Sequence, residues 1–200
     1  ELILLDISAS KASQKPNFKL IEEVANECFM PLTYGGGINS IDDIRKILKI
    51  GVEKVSLNDS ALNNPEFITK ASNFFGNQCI IGSIDVKKNL YGKNKVFVYK
   101  KNKIIQLDPI KWAVKLEKLG AGELIITSVD RDGTWEGYDQ NLIKLITDQV
   151  SIPVVANGGA GSFSHINDVF NYANCSAAAV GSLVVYQKKD MGVLINYPFS

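Results

Sequence analysis

Histidine and cysteine are scarce in this chain, and the scarcity removes two classes of site. One histidine, His165, and three widely spaced cysteines, Cys28, Cys79 and Cys175, do not amount to a structural zinc site. An odd number of isolated cysteines in apolar surroundings is no disulfide framework either. They read as reduced core thiols of a cytoplasmic protein. An excess of one charge sign is also missing. Twenty-two Lys and Arg against 21 Asp and Glu leave a net charge of +1, which gives no hint of nucleic acid or of an anionic membrane as partner. No apolar run reaches the ~18 residues that a spanning helix requires, so no membrane segment is expected. No metal and no cofactor is expected. His165 follows a glycine-rich turn and reads as a helix-terminus residue rather than a catalytic one.

What the chain does have is ample apolar content, 46% of residues, enough for one buried core. It also has two similar turns. Tyr34-Gly35-Gly36-Gly37-Ile38 follows Pro31-Leu32-Thr33, and Asn157-Gly158-Gly159-Ala160-Gly161 follows Pro153-Val154-Val155-Ala156. Each sits between a short apolar run and a helical pattern. A strand that ends in glycines and feeds a helix presents backbone N–H groups that suit a phosphate, although glycines also make ordinary tight turns.

The turns belong to a longer repeat. Glu1-Leu2-Ile3-Leu4-Leu5-Asp6 resembles Glu123-Leu124-Ile125-Ile126-Thr127-Ser128, and Pro31 and Gly35 match Pro153 and Gly158. The offset of about 120 residues is too long for a solenoid and suits a duplicated half-domain. Strands are expected at Leu2–Asp6, Leu32–Tyr34, Lys54–Leu57, Ile80–Asp85, Leu124–Thr127, Val154–Ala156 and Ala177–Val180. Amphipathic helices lie between them. Phe18, Ile21, Val24, Ala25 and Cys28 share one face. Ser40 caps a helix carrying Ile44, Ile47 and Leu48, and Asp108-Pro109 opens another. Alternating strand and helix means parallel strands with right-handed crossovers.

Seven strands do not divide into two equal halves. Ile80–Asp85 precedes Glu123 by a segment whose counterpart would precede Glu1. The expectation is an α/β fold, a (β/α)8 TIM barrel made of two similar halves. Its single domain spans 1–200, with the first strand and helix absent from this sequence. The whole would have eight strands and about 245 residues, against about 250 for a typical barrel. The alternative is an open seven-stranded sheet, which leaves edges exposed.

Barrel active sites form at the C-terminal ends of strands, and several polar residues fall there. Asp6 ends the first strand, where it serves a site or caps its own loop. Ser56 and Asn58 alternate and complete a first anion site with Gly36 and Gly37. Asp85 emerges from an apolar strand. Such a carboxylate has either a catalytic task, as general acid or base, or a structural partner such as Lys87. The basic, aromatic-rich stretch Lys87–Lys103 fits a solvated hairpin, Val96–Tyr99 with Lys103–Gln106, better than an RNA surface. Thr127 is expected to donate a hydrogen bond to a phosphate, and Asp132 to contact a substrate hydroxyl or act in proton transfer. Asp130 and Arg131 are expected to pair and hold the loop. Gly181 and Ser182, with Gly158, Gly159 and Thr127, form a second anion cradle. Two such cradles imply a small-molecule substrate phosphorylated at both ends.

These motifs together resemble the cyclase subunit family of imidazole glycerol phosphate synthase, in histidine biosynthesis. The matching stretches are Leu5–Ser10, Gly35–Ile38, Lys54–Asn58, Ile84-Asp85, Gly120–Glu123, Thr127–Gly133 and Gly158–Gly161. The resemblance implies a heterodimer with a glutaminase (HisH-like) subunit. Ammonia from that partner converts a bis-phosphorylated ribulosyl aminoimidazole carboxamide into imidazole glycerol phosphate and aminoimidazole carboxamide ribotide. It implies Asp85 as one of two catalytic aspartates, the other lying in the absent strand. It assigns Gly36, Gly37 and Asn58 to one phosphate, and Thr127, Gly159 and Ser182 to the other. Glu1, Lys54 and Glu123 match charged residues that gate ammonia where the partner docks.

Some residues depart from the family pattern. Tyr34 replaces a smaller residue and is expected to narrow the mouth. Glu53 replaces an aspartate at the partner interface. Asp59 adds a negative charge beside the first phosphate site, and Asn157 and Gly181 alter the second. The tail Gly192–Pro198 resembles a paralogous branch linked to surface-glycan amidation, so an ammonia-channelling subunit of an amidation complex is the alternative function.

Overall fold

The structure, a computed structural model, describes residues 1–12, 14–186, 192 and 193, without the side chains of residues 10–12. Most of the tail singled out above, residues 194–198, lies outside the described residues. The chain forms two units. One comprises Glu1–Ser83, Val98–Lys103 and Lys115–Glu123; the other comprises Ile84–Phe97, Ile104–Val114 and the chain from Leu124 onward.

In the first unit the order is β1 (Leu2–Leu5), α1 (Ile7–Ala12), α2 (Phe18–Glu27), β2 (Leu32–Gly35), α3 (Ile41–Ile50), β3 (Lys54–Leu57), α4 (Asp59–Asn63), α5 (Glu66–Phe75) and the start of β4 (Ile80–Lys88). The four strands are parallel, with Ile3 opposite Thr33, Gly35 opposite Ser56 and Ser56 opposite Ile81. Side chains alternate between the two faces of a strand. Thr33, Gly35, Lys54 and Ser56 therefore share one face, and Leu32, Tyr34, Val55 and Leu57 the other. All of β2 is buried, as a parallel strand covered on both sides must be. The helical periodicity holds. Ser40 accepts from the Asp43 N–H at the start of α3, Ile44 and Ile47 are fully buried, and Gly51 ends the helix at a φ of 113°. Burying each such isoleucine is worth about 1.5–3 kcal/mol.

In the second unit the end of β4 is followed by β5 (Asn94–Val98), β6 (Lys103–Ile104), α6 (Pro109–Lys118), β7 (Glu123–Ser128), α7 (Gln140–Thr147), β8 (Val154–Asn157), α8 (Phe163–Ala173), β9 (Ala177–Ala178) and α9 (Ser182–Val185). β7, β8 and β9 are parallel, with Thr127 opposite Asn157 and Ala156 opposite Ala178. Asp108 opens α6 as expected, its carboxylate accepting from the Ile110 and Lys111 N–H groups. This alternation of parallel strand and helix is that of the (β/α)8 barrel class. Among the described residues no helix is long and apolar enough to cross a membrane.

Four expectations are corrected. β4 does not stop at Asp85. It continues to Lys88 because β5 adds antiparallel to its end, Val86 opposite Val96 and Lys88 opposite Asn94. The turn of that unforeseen hairpin is built by Asn89, whose side chain accepts from the N–H groups of Tyr91 and Lys93. The expected hairpin is shorter than drawn: Tyr99–Lys101 is a 3-10 turn, and Asn102 takes a left-handed φ of 44° before the two-residue β6. β9 stops at Ala178 rather than Val180, since only Val155 and Ala156 pair with it. Of the three cysteines only Cys175 is buried; Cys28 and Cys79 are partly exposed.

Candidate functional site

The first glycine turn is fitted closely to the segment after β1. The Asp6 N–H donates to the Gly35 carbonyl at 2.7 Å. Gly36 and Gly37 have φ values of 127° and 68°, open to glycine at little cost. A Cβ at Gly36 would strike the Asp6 carbonyl, and one at Gly37 the Gln14 carbonyl and Ala9. The turn is thus pressed flat against α1 and the loop behind it. Ser56 is buried, and its Cβ lies against Gly35. Asn58 precedes α4 without capping it through its side chain.

Asp6 does cap. Its carboxylate accepts from the Ala9 N–H at 2.8 Å, at the first turn of α1. Asp59 carries the departure noted in the sequence. Burial pushes its carboxyl up, and the positive charges of Lys100 and Lys101 partly offset that. Tyr34 does not narrow a mouth. Strand alternation turns its ring to the face opposite Gly35 and Ser56, where it is 1% exposed.

At the other end of the same strands, charged residues converge. Lys54 Nζ donates to Glu1 Oε2 at 3.0 Å and to Glu123 Oε2 at 2.7 Å. The Thr33 hydroxyl donates to Glu1 Oε1 at 2.5 Å. Burial acts to raise the Glu1 carboxyl, but Thr33 and Lys54 outweigh it and hold the group below its ordinary value. Burial acts to lower Lys54, but Glu123 and Glu1 outweigh it and hold the ammonium above its ordinary value. Thr33 was missed in the sequence. The available signal was a hydroxyl in an otherwise apolar run.

In the second unit the turn after β7 wraps the second glycine turn. The N–H groups of Arg131 and Asp132 donate to the Ser128 carbonyl, and the Gly137 N–H donates to the Gly159 carbonyl at 2.7 Å. Gly158 and Gly159 have φ values of 92° and 102°; a Cβ on Gly159 would strike the Gly137 carbonyl. Thr127 and Asn157 face each other across β7 and β8, and the Asn157 amide donates to the Thr127 hydroxyl at 3.1 Å. Asn157 is therefore part of this corner, not only a departure from a pattern.

Asp132 is exposed on this turn, and its Cα and Cβ lie 3.5 Å from where a Gly158 Cβ would stand. Asp130 and Arg131 do not pair with each other, as had been expected. The Asp130 carboxylate accepts from the Lys88 N–H, and the Arg131 guanidinium donates to the Glu136 and Gly137 carbonyls. Backbone groups of a tight turn lie within reach of both side chains and need partners of their own. His165 has the helix-terminus role expected. Its Nδ1 accepts from the Gly161 N–H at 3.2 Å, which withdraws Gly161 from anion binding. Gly181 precedes α9 at a φ of −124° with open space about its Cα, so its backbone does not require glycine.

Asp85 is half-buried within β4, on the same strand face as Ile81 and Ser83. Lys87 lies over the Phe97 ring, 5.3 Å from its centroid.

Parallel strands with glycine turns at their C-terminal ends, and a charged cluster at the N-terminal ends of β1, β3 and β7, are the arrangement of a (β/α)8 barrel protein. The chain belongs to the histidine biosynthesis protein family, whose model matches residues 1–190. A protein of Pseudomonas aeruginosa with the provisional name imidazole glycerol phosphate synthase subunit hisF2 is 46% identical over 99% of this chain and 79% of its own length. The imidazole glycerol phosphate synthase subunit HisF of Methanococcus vannielii is 41% identical over 96% of this chain and 78% of that protein. The HisF subunit of Lactococcus lactis subsp. cremoris is 46% identical over 93% and 72%.

Proposed function

We propose that this protein is the cyclase subunit of imidazole glycerol phosphate synthase. It uses ammonia from a glutaminase subunit to convert the bis-phosphorylated ribulosyl aminoimidazole carboxamide into imidazole glycerol phosphate and aminoimidazole carboxamide ribotide. The observation that carries the reading is identity of 41–46% to synthase subunits along nearly the whole chain. The relatives' names give no support to the amidation-complex alternative.

The residues divide by task. Gly36, Gly37, Ser56 and Asn58 hold one phosphate. Thr127, Gly158, Gly159, Gly181 and Ser182 hold the other. Backbone N–H groups of glycine turns suit both, because a dianion is bound best by several fixed donors. Asp85 and Asp132 handle protons during ring closure and cleavage, and Asp6 steadies the substrate side of the first turn. Glu1, Lys54 and Glu123 gate ammonia beside the glutaminase. The test is turnover of the bis-phosphate by the purified protein with an ammonium salt. Formation of both products supports the reading, and no turnover at saturating ammonium rejects it.

A further inference from the structure

One side chain ties together the turn that follows β7. The Arg131 guanidinium donates through Nη1 to the Glu136 and Gly137 carbonyls, each at 3.1 Å. The backbone of the same residue is held as well. Its N–H donates to the Ser128 carbonyl at 3.1 Å, and its carbonyl accepts from the Thr134 N–H at 3.0 Å and the Thr134 hydroxyl at 2.8 Å. A guanidinium placed on two neutral carbonyls acts as a rigid, two-pronged donor rather than as half of an ion pair. It closes residues 131–137 into a loop. Inside that loop Trp135 takes a left-handed φ of 68°. Such a conformation is costly for a bulky residue and persists only where the surroundings impose it.

The closed loop forms the wall of the second glycine turn. The nearest neighbours of a Cβ placed on Gly159 are the Gly137 carbonyl and, at 3.1 Å, the Arg131 Cβ. Gly159 is therefore bracketed by the stem of Arg131 and by the peptide that its head group grips. The Gly137 N–H donates to the Gly159 carbonyl at 2.7 Å, and the Trp135 carbonyl closes on Gly161. Asp132 is the next residue in the loop, with its Cα and Cβ 3.5 Å from the corresponding point on Gly158. Glycines at positive φ have wide conformational freedom, so the direction of the Gly158 and Gly159 N–H groups is set from outside the turn. This wall sets it.

We propose that Arg131 is a positioning residue that holds the second glycine turn and Asp132 in one fixed geometry, so that phosphate capture and proton transfer share an anchor. The inference rests on reading that turn as a phosphate site and Asp132 as a proton-transfer group. Arg131 acts through the Glu136 and Gly137 peptides. Without its guanidinium the loop relaxes away from Gly159, and the loss falls on binding and on chemistry together.

Arg131→Met keeps most of the stem and deletes the donors. Inorganic phosphate, titrated into the full chain by calorimetry, is expected to bind about tenfold more weakly at one of two sites and unchanged at the other. KM for the bis-phosphate should rise about tenfold and kcat fall about tenfold. In an Asp132→Asn background the same substitution should still raise KM but leave kcat where it is. Arg131→Lys offers one ammonium to the two carbonyls and should lose about threefold in affinity at the same site, so it carries the test by itself if the methionine variant does not fold. Wild-type phosphate affinity in either variant overturns the proposal. So do equal losses at both phosphate sites, or the same fall in kcat with and without Asp132, which would mark Arg131 as a residue of general stability. A wild type that binds fewer than two phosphates removes the site reading on which the proposal rests. A wild type that binds two phosphates but turns over no bis-phosphate rejects the cyclase reading and leaves the phosphate comparison standing.

Discussion

Lys54 Nζ lies 2.7 Å from Glu123 Oε2, across 69 residues of chain, and the same ammonium reaches Glu1 at 3.0 Å. One cation is thus shared by two carboxylates at the start of three strands. Lys54→Met leaves two neighbouring carboxylates without their common partner. The expected loss is about 1–2 kcal/mol, larger than for an exposed pair because all three side chains are mostly covered. The urea midpoint measures it. Assayed with the proposed glutaminase subunit, the variant should lose glutamine-dependent turnover more than ammonium-dependent turnover. Equal losses would remove this cluster from any gating role.

The same cluster sets two limits in pH. Glu1 is held below its ordinary value of 4.5, so its contribution is complete above that pH and disappears as pH falls through the lower folded value. Lys54 is held above its ordinary value of 10.5, so its contribution is complete below that pH and disappears as pH rises through the higher folded value. Stability from this cluster should therefore be flat between the two limits. Thr33→Val removes a donor to Glu1, and the acid limb should then begin at a higher pH. Urea midpoints across the acid range check this, and an unmoved limb would mean Thr33 does not help hold the charge.

Asp85→Asn is isosteric and removes the capacity to take or give a proton. General acid–base catalysis typically contributes 10²–10⁴-fold, so kcat should fall by about that factor with little change in the melting temperature. Asp132→Asn should lower kcat as well. A variant at Asp85 that retains more than about a tenth of wild-type kcat would assign it a structural role instead.

Gly159→Ala introduces a methyl group at a φ of 102°, directed into the Gly137 carbonyl. The turn after β7 must shift, at a cost of about 1–3 kcal/mol. KM for the bis-phosphate should rise about tenfold or more, since the fixed N–H donors move with the turn. Gly181→Ala is the control. Its φ of −124° and open surroundings should leave folding stability unchanged.

Tyr138 is buried, and its hydroxyl donates to the Ala179 carbonyl at 2.8 Å, just before Gly181 and Ser182. Burial and then Cys175 push this phenol up to about 12, so it remains a donor throughout the ordinary pH range. Tyr138→Phe leaves a carbonyl without its partner, and the expected destabilisation is about 1–2 kcal/mol. Chemical denaturation checks the magnitude. An unchanged midpoint would show that water replaces the phenol at Ala179.

The amino-acid sequence by itself determined the features that depend on near neighbours. Apolar periodicity placed the strands and helices, Ser40 and Asp108 marked helix starts, and the glycine runs marked turns that need positive φ. These signals are local, so a linear reading reaches them. Only the tertiary structure decided what depends on residues distant in the chain. β4 runs past Asp85 because β5 returns to pair with it, Asp130 and Arg131 turn to backbone groups in place of each other, and Lys54 finds its two acids far along the sequence. Tyr34 shows the division most plainly: its position beside three glycines is visible in the sequence, but the face it occupies comes from strand register.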